Sequence, residues 1–371
     1  MSAPETSENE NSCSTCSTST ESSSSSSEHP KPNFTEGTII NQKWQISKQL
    51  GAGGIGVVYK VERVPSLEEA KENNGANHPL RNNSTIDEVF VGSNTRRIRS
   101  AALKAETIDP KRRYKETLKV EALVLRRLCF SEHVCDLFMA GRLESSANVI
   151  VMTELGPSLS FLRRRCPDQH FTLSTAIRIT KRAISSIEDL HAIGFIHRDI
   201  KPSNFAIGLH PHRRKLHLLD FGFARSYLTW SANSKLVHRP SRTRAPFMGT
   251  DRYCSLNVHE RIEQSRRDDM LSLFFTLIEL MKGKLPWRNL GRKEIPAAKK
   301  KAIPFLLERT RSPCELNLMF DHIRSLEYTS RPDYALLKKC LSDVCVHRGF
   351  LDHEPFDWED GAHYRKYFEN T

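Results

Sequence analysis

The chain changes its hydrophobic period near Leu155-Gly156-Pro157, and that change limits the folds open to it. Before it, short runs alternate or are fully apolar. They are Trp44-Gln-Ile46-Ser-Lys-Gln-Leu50, Val57 to Val61, Ala101 to Ala105, and 143–155 with its Val149-Ile150-Val151-Met152 core. A period of two with β-branched and aromatic side chains reads as strands. One stretch, 115–130, differs: Leu118, Val120, Leu123, Val124, Leu125 and Leu128 recur as on one helix face. After the change, 173–193 and 268–281 carry helical patterns, the second closed by Gly283 and Pro286. The expected class is α+β and bilobal: a small β-rich lobe with one main helix, a hinge near Leu155, and a larger, mainly helical lobe. At 371 residues the chain exceeds what a single core usually organises.

Residues 1–36 form a Ser-rich tail with too few apolar groups to bury, and are expected to be disordered. The rest divides into 37–155, interrupted by an Asn-, Ser- and Arg-rich insertion at 65–100, then 156–345, then an extension at 346–371. Lys and Arg number 56 against 44 Asp and Glu, a net charge of +12. Such an excess favours anionic partners such as acidic or phosphorylated protein, nucleic acid or a membrane surface. A solvated basic surface fits the same numbers. No recognition motif for specific nucleic acid accompanies the charge. The longest apolar run, 270–281, is too short for a membrane span, and no signal core opens the chain. The nine cysteines show no framework, and Cys13-x-x-Cys16 has no second pair at zinc spacing. The other seven read as reduced thiols of an intracellular protein, with the cytoplasm as expected location and the nucleus second.

The chemistry-bearing residues fall in order. Leu50 precedes Gly51-Ala-Gly53-Gly-Ile-Gly56-Val-Val58, a GxGxxGxV run between two strands. Glycines there let the backbone approach phosphates, though glycine hairpins are common without any ligand. Lys104 lies on the next strand and can act as a point charge for phosphate, or be a plain exposed strand lysine. Glu121, on the apolar helix stretch, needs a cation if buried, and Lys104 is the candidate. Ile196-His197-Arg198-Asp199-Ile200-Lys201-Pro202-Ser203-Asn204 matches HRDxxxxN at every fixed position, which chance rarely gives. Asp199 can accept a hydroxyl proton, Lys201 can stabilise phosphoryl charge, and Asn204 can ligate Mg²⁺. Leu218-Leu219-Asp220-Phe221-Gly222 follows, with Asp220 as a second metal ligand.

This order of glycine loop, strand lysine, helix glutamate, HRD loop and DFG resembles a eukaryotic protein kinase. Three segments narrow the resemblance to the casein kinase I superfamily: Leu155-Gly156-Pro157-Ser158-Leu159, Tyr253-Cys-Ser255-Leu-Asn257, and Ile262 through Arg266-Arg267-Asp268-Asp269. Three more are most similar to the tau-tubulin kinases: His133-Val134-Cys135, Phe195 through Ala206, and Phe356-Asp-Trp-Glu359. The likeness runs from Trp44 to Glu359, leaving out the insertion. Met270 and Leu271 depart from the pattern, which concerns helix packing alone. The resemblance implies the bilobal kinase fold and ATP with Mg²⁺ as cofactors. It implies a purine read by backbone groups of Thr153 and Leu155, Met152 as gatekeeper, Asp269 bracing the HRD loop, and serine/threonine specificity through Lys201. The implied partners are protein substrates, acidic, phosphorylated or cytoskeletal, taken by a monomer. Arg225, Arg242, Arg244 and Arg252 around the segment 223–250 are candidates for an acidic or phosphorylated substrate. Two other readings stay open: a kinase-fold scaffold without catalysis, disfavoured because Lys104, Asp199, Asn204 and Asp220 are all present, and a nucleic-acid binder, which has only the charge in its favour.

Overall fold

A computed structural model of the protein describes residues 32–53, 56–65, 98–108, 117–143 and 147–368. Cys13, Cys16, the 1–31 part of the tail, the loop tip Gly54-Ile55 and most of the insertion, Val89 to Val91 included, lie outside the described residues. Strands β1 (Ile39–Ile40), β2 (Trp44–Ala52), β3 (Val57–Arg63), β4 (Ser100–Thr107), β5 (Leu137–Leu143) and β6 (Ala147–Met152) form one antiparallel six-stranded sheet in the order β1-β2-β3-β4-β6-β5. Its inward side chains, among them Trp44, Ile46, Tyr59, Val61, Leu103 and Val151, make a closed apolar cluster. Helix α1 (Thr117–Arg127) packs beside it and buries Leu118, Ala122, Val124 and Leu125. Glu106 caps the first turn of α1, accepting from the N–H groups of Thr117 and Leu118 at 3.1 and 3.0 Å.

Strand β5 is a finding that the alternation pattern does not disclose. Its Leu137-Phe138-Met139-Ala140 run is buried at every position, so it lacks the polar alternates that mark a half-exposed strand.

The larger lobe is built on α2 (Leu159–Arg165), α3 (Leu173–Ala192), α4 (Leu256–His259), α5 (Arg266–Lys282), α6 (Ile295–Ala302), α7 (Leu306–Arg309), α8 (Leu316–Ser325) and α9 (Tyr334–Arg348). Ser158 caps α2 through Phe161 N, Thr172 caps α3 through Thr175 N, and Gly283 at φ 76° ends α5 in the left-handed region. Helices α3 and α5 sit at the centre, burying Ile177, Ile184 and Ile187 against Leu273, Phe274 and Leu277. None of the described helices is long and apolar enough to cross a membrane.

A division at 345/346 would cut α9, and the segment beyond it belongs to this lobe. Phe356 is fully buried, and Arg178, Arg182 and Arg214 stack on its ring at 4.6, 5.3 and 5.2 Å. Asp357 accepts from Thr172 N, Thr172 Oγ1 and Thr175 Oγ1 at 2.8, 2.7 and 2.9 Å, so the extension seals the start of α3.

Candidate active site

Two short antiparallel strand pairs bring distant motifs together. Strand β7 (Phe195–Ile196) leads into the HRD loop and pairs with β10 (Arg225–Ser226), just after the DFG turn. Strand β8 (Phe205–Ile207) begins directly after Asn204, and β9 (Leu216–Leu218) ends just before Asp220. They pair with Phe205 opposite Leu218, and Leu219 N donates to Asn204 O at 2.9 Å. The register of one hairpin therefore sets Asn204 beside Asp220.

The loop itself is fastened from below. Asp269 on α5 is buried and accepts from His197 N at 2.7 Å and Arg198 N at 2.8 Å. Its Oδ2 also meets His191 Nε2 at 3.0 Å, and His191 Nδ1 meets the Tyr334 hydroxyl at 2.6 Å. Burial opposes the charge on Asp269, but His191 and the loop N–H groups outweigh it and hold the carboxyl below the usual range. Arg198 donates to Phe223 O at 2.7 Å, tying the loop to the DFG turn. Arg198 and Asp220 both lie at positive φ, 70° and 65°. Such backbone is costly for a side-chain-bearing residue and persists where neighbours over-determine it.

Above the loop, Asp199 sits in a ring of donors. Lys201 Nζ is 2.7 Å from Oδ2 and Thr250 Oγ1 is 2.7 Å from Oδ1. Lys201 Nζ also donates to Thr250 Oγ1 at 3.0 Å. Asn204 Nδ2 donates to Asp199 O at 2.9 Å, which leaves Oδ1 as its free acceptor. Across the cleft, Lys104 on β4 reaches Glu121 of α1 at 2.7 Å and Asp220 at 3.0 Å. Burial opposes the Lys104 charge, yet the two carboxylates prevail and raise its pKa well above the ordinary lysine value. Lys104 is thus a charged link between the lobes.

The glycines divide by their surroundings. A Cβ on Gly56 would lie 2.3 Å from Ala105 O, so glycine there is required by the approach of β3 to β4. Beside Gly51 there is open space within 4 Å, and Gly53 would meet only Gly56 O, at 3.9 Å. Gly53 N closes the turn on Gly56 O at 2.8 Å. Leu50 is exposed at the end of this hairpin and Val58 is half-buried opposite Lys104. Met152 ends β6, buried, at the rear of the cleft. Thr153 N is taken by Asp136 O at 3.0 Å, so its carbonyl is the backbone group left for a ligand. Among the described residues, neither backbone group of Leu155 has a protein partner.

A family model for the protein kinase domain matches residues 85–349. The chain belongs to the protein kinase family. A probable serine/threonine-protein kinase of Dictyostelium discoideum is 35% identical over 329 residues, which is 88% of this chain and 58% of that protein. The chain thus aligns with somewhat over half the length of that relative. The family match begins at residue 85, after the glycine hairpin, and the sheet register places β2 and β3 of that hairpin beside β4 in the kinase small lobe.

The site also uses residues that motif spacing does not reveal. Thr250 and His191 have no signature of their own; they matter because the chain returns to the loop 51 residues after Asp199 in one case, and through Asp269 in the other. The arginines singled out near 223–250 are less free than their number suggests. Arg225 and Arg242 converge on the buried Glu263, and Arg252 lies 3.6 Å from the buried Glu279.

Proposed function

We propose that this chain transfers the γ-phosphoryl group of ATP to serine or threonine hydroxyls of protein substrates. The observation that carries the reading is that two bonded groups, Lys104 with Glu121 and Asp220, and Asp199 with Lys201 and Asn204, are set side by side by the β8–β9 pairing. There Asp199 accepts the substrate hydroxyl proton and orients that oxygen, and Lys201 offsets charge on the transferring group. Lys104 steadies the α- and β-phosphates, with Glu121 fixing its rotamer. The glycine hairpin lies over the phosphates through Gly51 and Gly53. The Thr153 carbonyl and the Leu155 backbone meet the purine edge, with Met152, Leu50 and Val58 bounding its pocket. Most of the catalysis comes from positioning and preorganised electrostatics.

The donor set fits a divalent cation that relies on the nucleotide for its remaining ligands. Among the described residues no three His, Cys, Asp or Glu side chains form a metal cage, whereas Asp220 and the free Oδ1 of Asn204 share one edge of the cleft. Mg²⁺ suits such a half-built oxygen site, and would neutralise charge on the β- and γ-phosphates.

The finer assignment to the casein kinase I superfamily, near the tau-tubulin kinases, draws support from a contact between two segments that carry the resemblance. Ser255 Oγ and Asn257 Nδ2 both donate to Asp268 Oδ1, at 2.5 and 2.9 Å. A monomer acting in the cytoplasm, with the nucleus second, on acidic, phosphorylated or cytoskeletal proteins completes the proposal. The seven described cysteines, all unpaired, support an intracellular site of action. The test is transfer from γ-labelled ATP to casein and tubulin with Mg²⁺, comparing wild type with Asp199→Asn. A loss of about 100-fold or more in the variant is expected. Equal transfer by both would refute the role of Asp199. A folded protein that saturating Mg·ATP fails to stabilise would favour the scaffold reading, since a ligand of the native state must raise its stability.

A further inference from the structure

Thr250 ties Asp199 and Lys201 to the segment that follows it, and that segment is gripped from behind. Lys299, on α6, is fully buried at 0% exposure. Its Nζ donates to Asp251 O at 2.7 Å and Cys254 O at 2.5 Å, with His259 Nε2 at 3.4 Å and Cys254 Sγ at 4.0 Å. The rings of Phe275 and Trp287 each lie 5.5 Å from the ammonium. Trp287 Nε1 donates to Arg252 O at 2.7 Å. Carbonyls 251, 252 and 254 are thus all fastened to the helical lobe. The N–H groups of Tyr253 and Cys254 turn back onto Thr250 O at 2.9 and 3.0 Å, closing 250–254 into a tight turn.

An ammonium is a costly group to bury among aromatic rings unless its donors are used. Burial pushes Lys299 down to about 8, with Cys254 and Asp251 opposing, so it still carries its charge at neutral pH. Its nearest oxygens are main-chain carbonyls of the turn that delivers Thr250. We propose that Lys299 is a positioning residue for phosphoryl transfer: by clamping Asp251 O and Cys254 O it sets Thr250 Oγ1 between Asp199 and Lys201. The inference rests on the kinase reading above and adds to it a residue that touches neither nucleotide nor substrate.

The test is a double-mutant cycle between Lys299→Met and Thr250→Val, read as kcat, KM for ATP and Mg·ATP affinity by thermal shift. Lys299→Met is expected to lower kcat by about 10- to 100-fold, the scale on which misplacement acts from a distance. Mg·ATP affinity should stay within about twofold, because the turn meets Asp199 and Lys201 and not Lys104, Asp220 or the hinge. The double variant should be no slower than the more impaired single one, since both remove the same placement. Lys299→Gln, which keeps two N–H donors, should recover most of the rate. Multiplicative losses, or a fall in Mg·ATP affinity matching the fall in rate, would overturn the proposal. If Lys299→Met does not fold, Lys299→Leu enters the same cycle. Failure of both to fold makes Lys299 a folding residue and overturns the assignment. Wild-type protein without transfer overturns the kinase reading itself, and the inference with it.

Discussion

The two halves of the cleft are secured in different ways. On the helical side, the loop carrying Asp199 hangs from Asp269, which is tied to His191, which is tied to Tyr334 on the last long helix. Every one of these groups is buried. On the sheet side, Lys104 is held by two carboxylates, one fully buried on α1 and one partly exposed across the cleft. The first arrangement couples the HRD loop to the core of its lobe. The second is a charge cluster across the cleft whose members can be neutralised in pairs. Damage to the helical side should therefore cost fold and activity together, and damage to the sheet side should be separable.

Asp269→Ala tests the first half most severely. It orphans two loop N–H groups and His191, and should cost about 3–5 kcal/mol in urea unfolding, with transfer lost as well. A variant as stable as wild type would mean that the loop does not depend on the core. Lys104→Met should cost about 3 kcal/mol, because Glu121 is left buried without its cation. Adding Glu121→Gln should restore most of that stability while transfer stays depressed. Recovery of both, or of neither, would erase the proposed contrast.

Titration sharpens the comparison. His217, on β9 of the helical side, is pushed down to about 4 by burial, with Lys215, His133 and His212 adding to the effect. Its native pKa lies below the unfolded value, so its contribution is intact above about 6.5 and is lost as pH falls toward 4. The loss should approach about 2–3 kcal/mol, and His217→Gln should flatten the stability curve in that window. Lys104 has the opposite sign: its raised pKa contributes fully below the ordinary lysine value and is lost only at more alkaline pH. Acid also acts on the Lys104 link, through Glu121, whose carboxyl is raised above its ordinary value by burial, so the two sides separate only at alkaline pH, where Lys104 alone is affected. The smallest effect belongs to the hinge. Ser158→Ala removes the cap of α2 and should cost about 1 kcal/mol in thermal or urea unfolding, with kcat nearly unchanged.

Much of this organisation is legible in the residues. Alternation finds β2, β3 and β4, and a 3.6-residue period finds α1 and α3, because those elements are polar on one face; α5, buried from Asp268 to Met281 except at Leu271, is marked by its apolar content and its Gly283 stop. Alternation misses β5, whose apolar run is buried on both faces and so carries no period. Short motifs pick out Asp199, Asn204 and Asp220 because the phosphate and metal roles proposed for them leave little choice of type or spacing.

The sequence by itself determined the lobe order, the hinge and the chemical groups on offer, since these depend on local pattern and residue type. The sequence offered Lys104 as the partner of Glu121; tertiary structure alone decided that it would also meet Asp220, 116 residues away. It also decided that Thr250 would complete the ring around Asp199, that Lys299 would lie behind it, and that Phe356 and Asp357 would seal α3 from the far end of the chain. The reason is physical. A local pattern records which face of an element avoids water, whereas the partner of a buried charge or carbonyl is fixed only when distant elements pack.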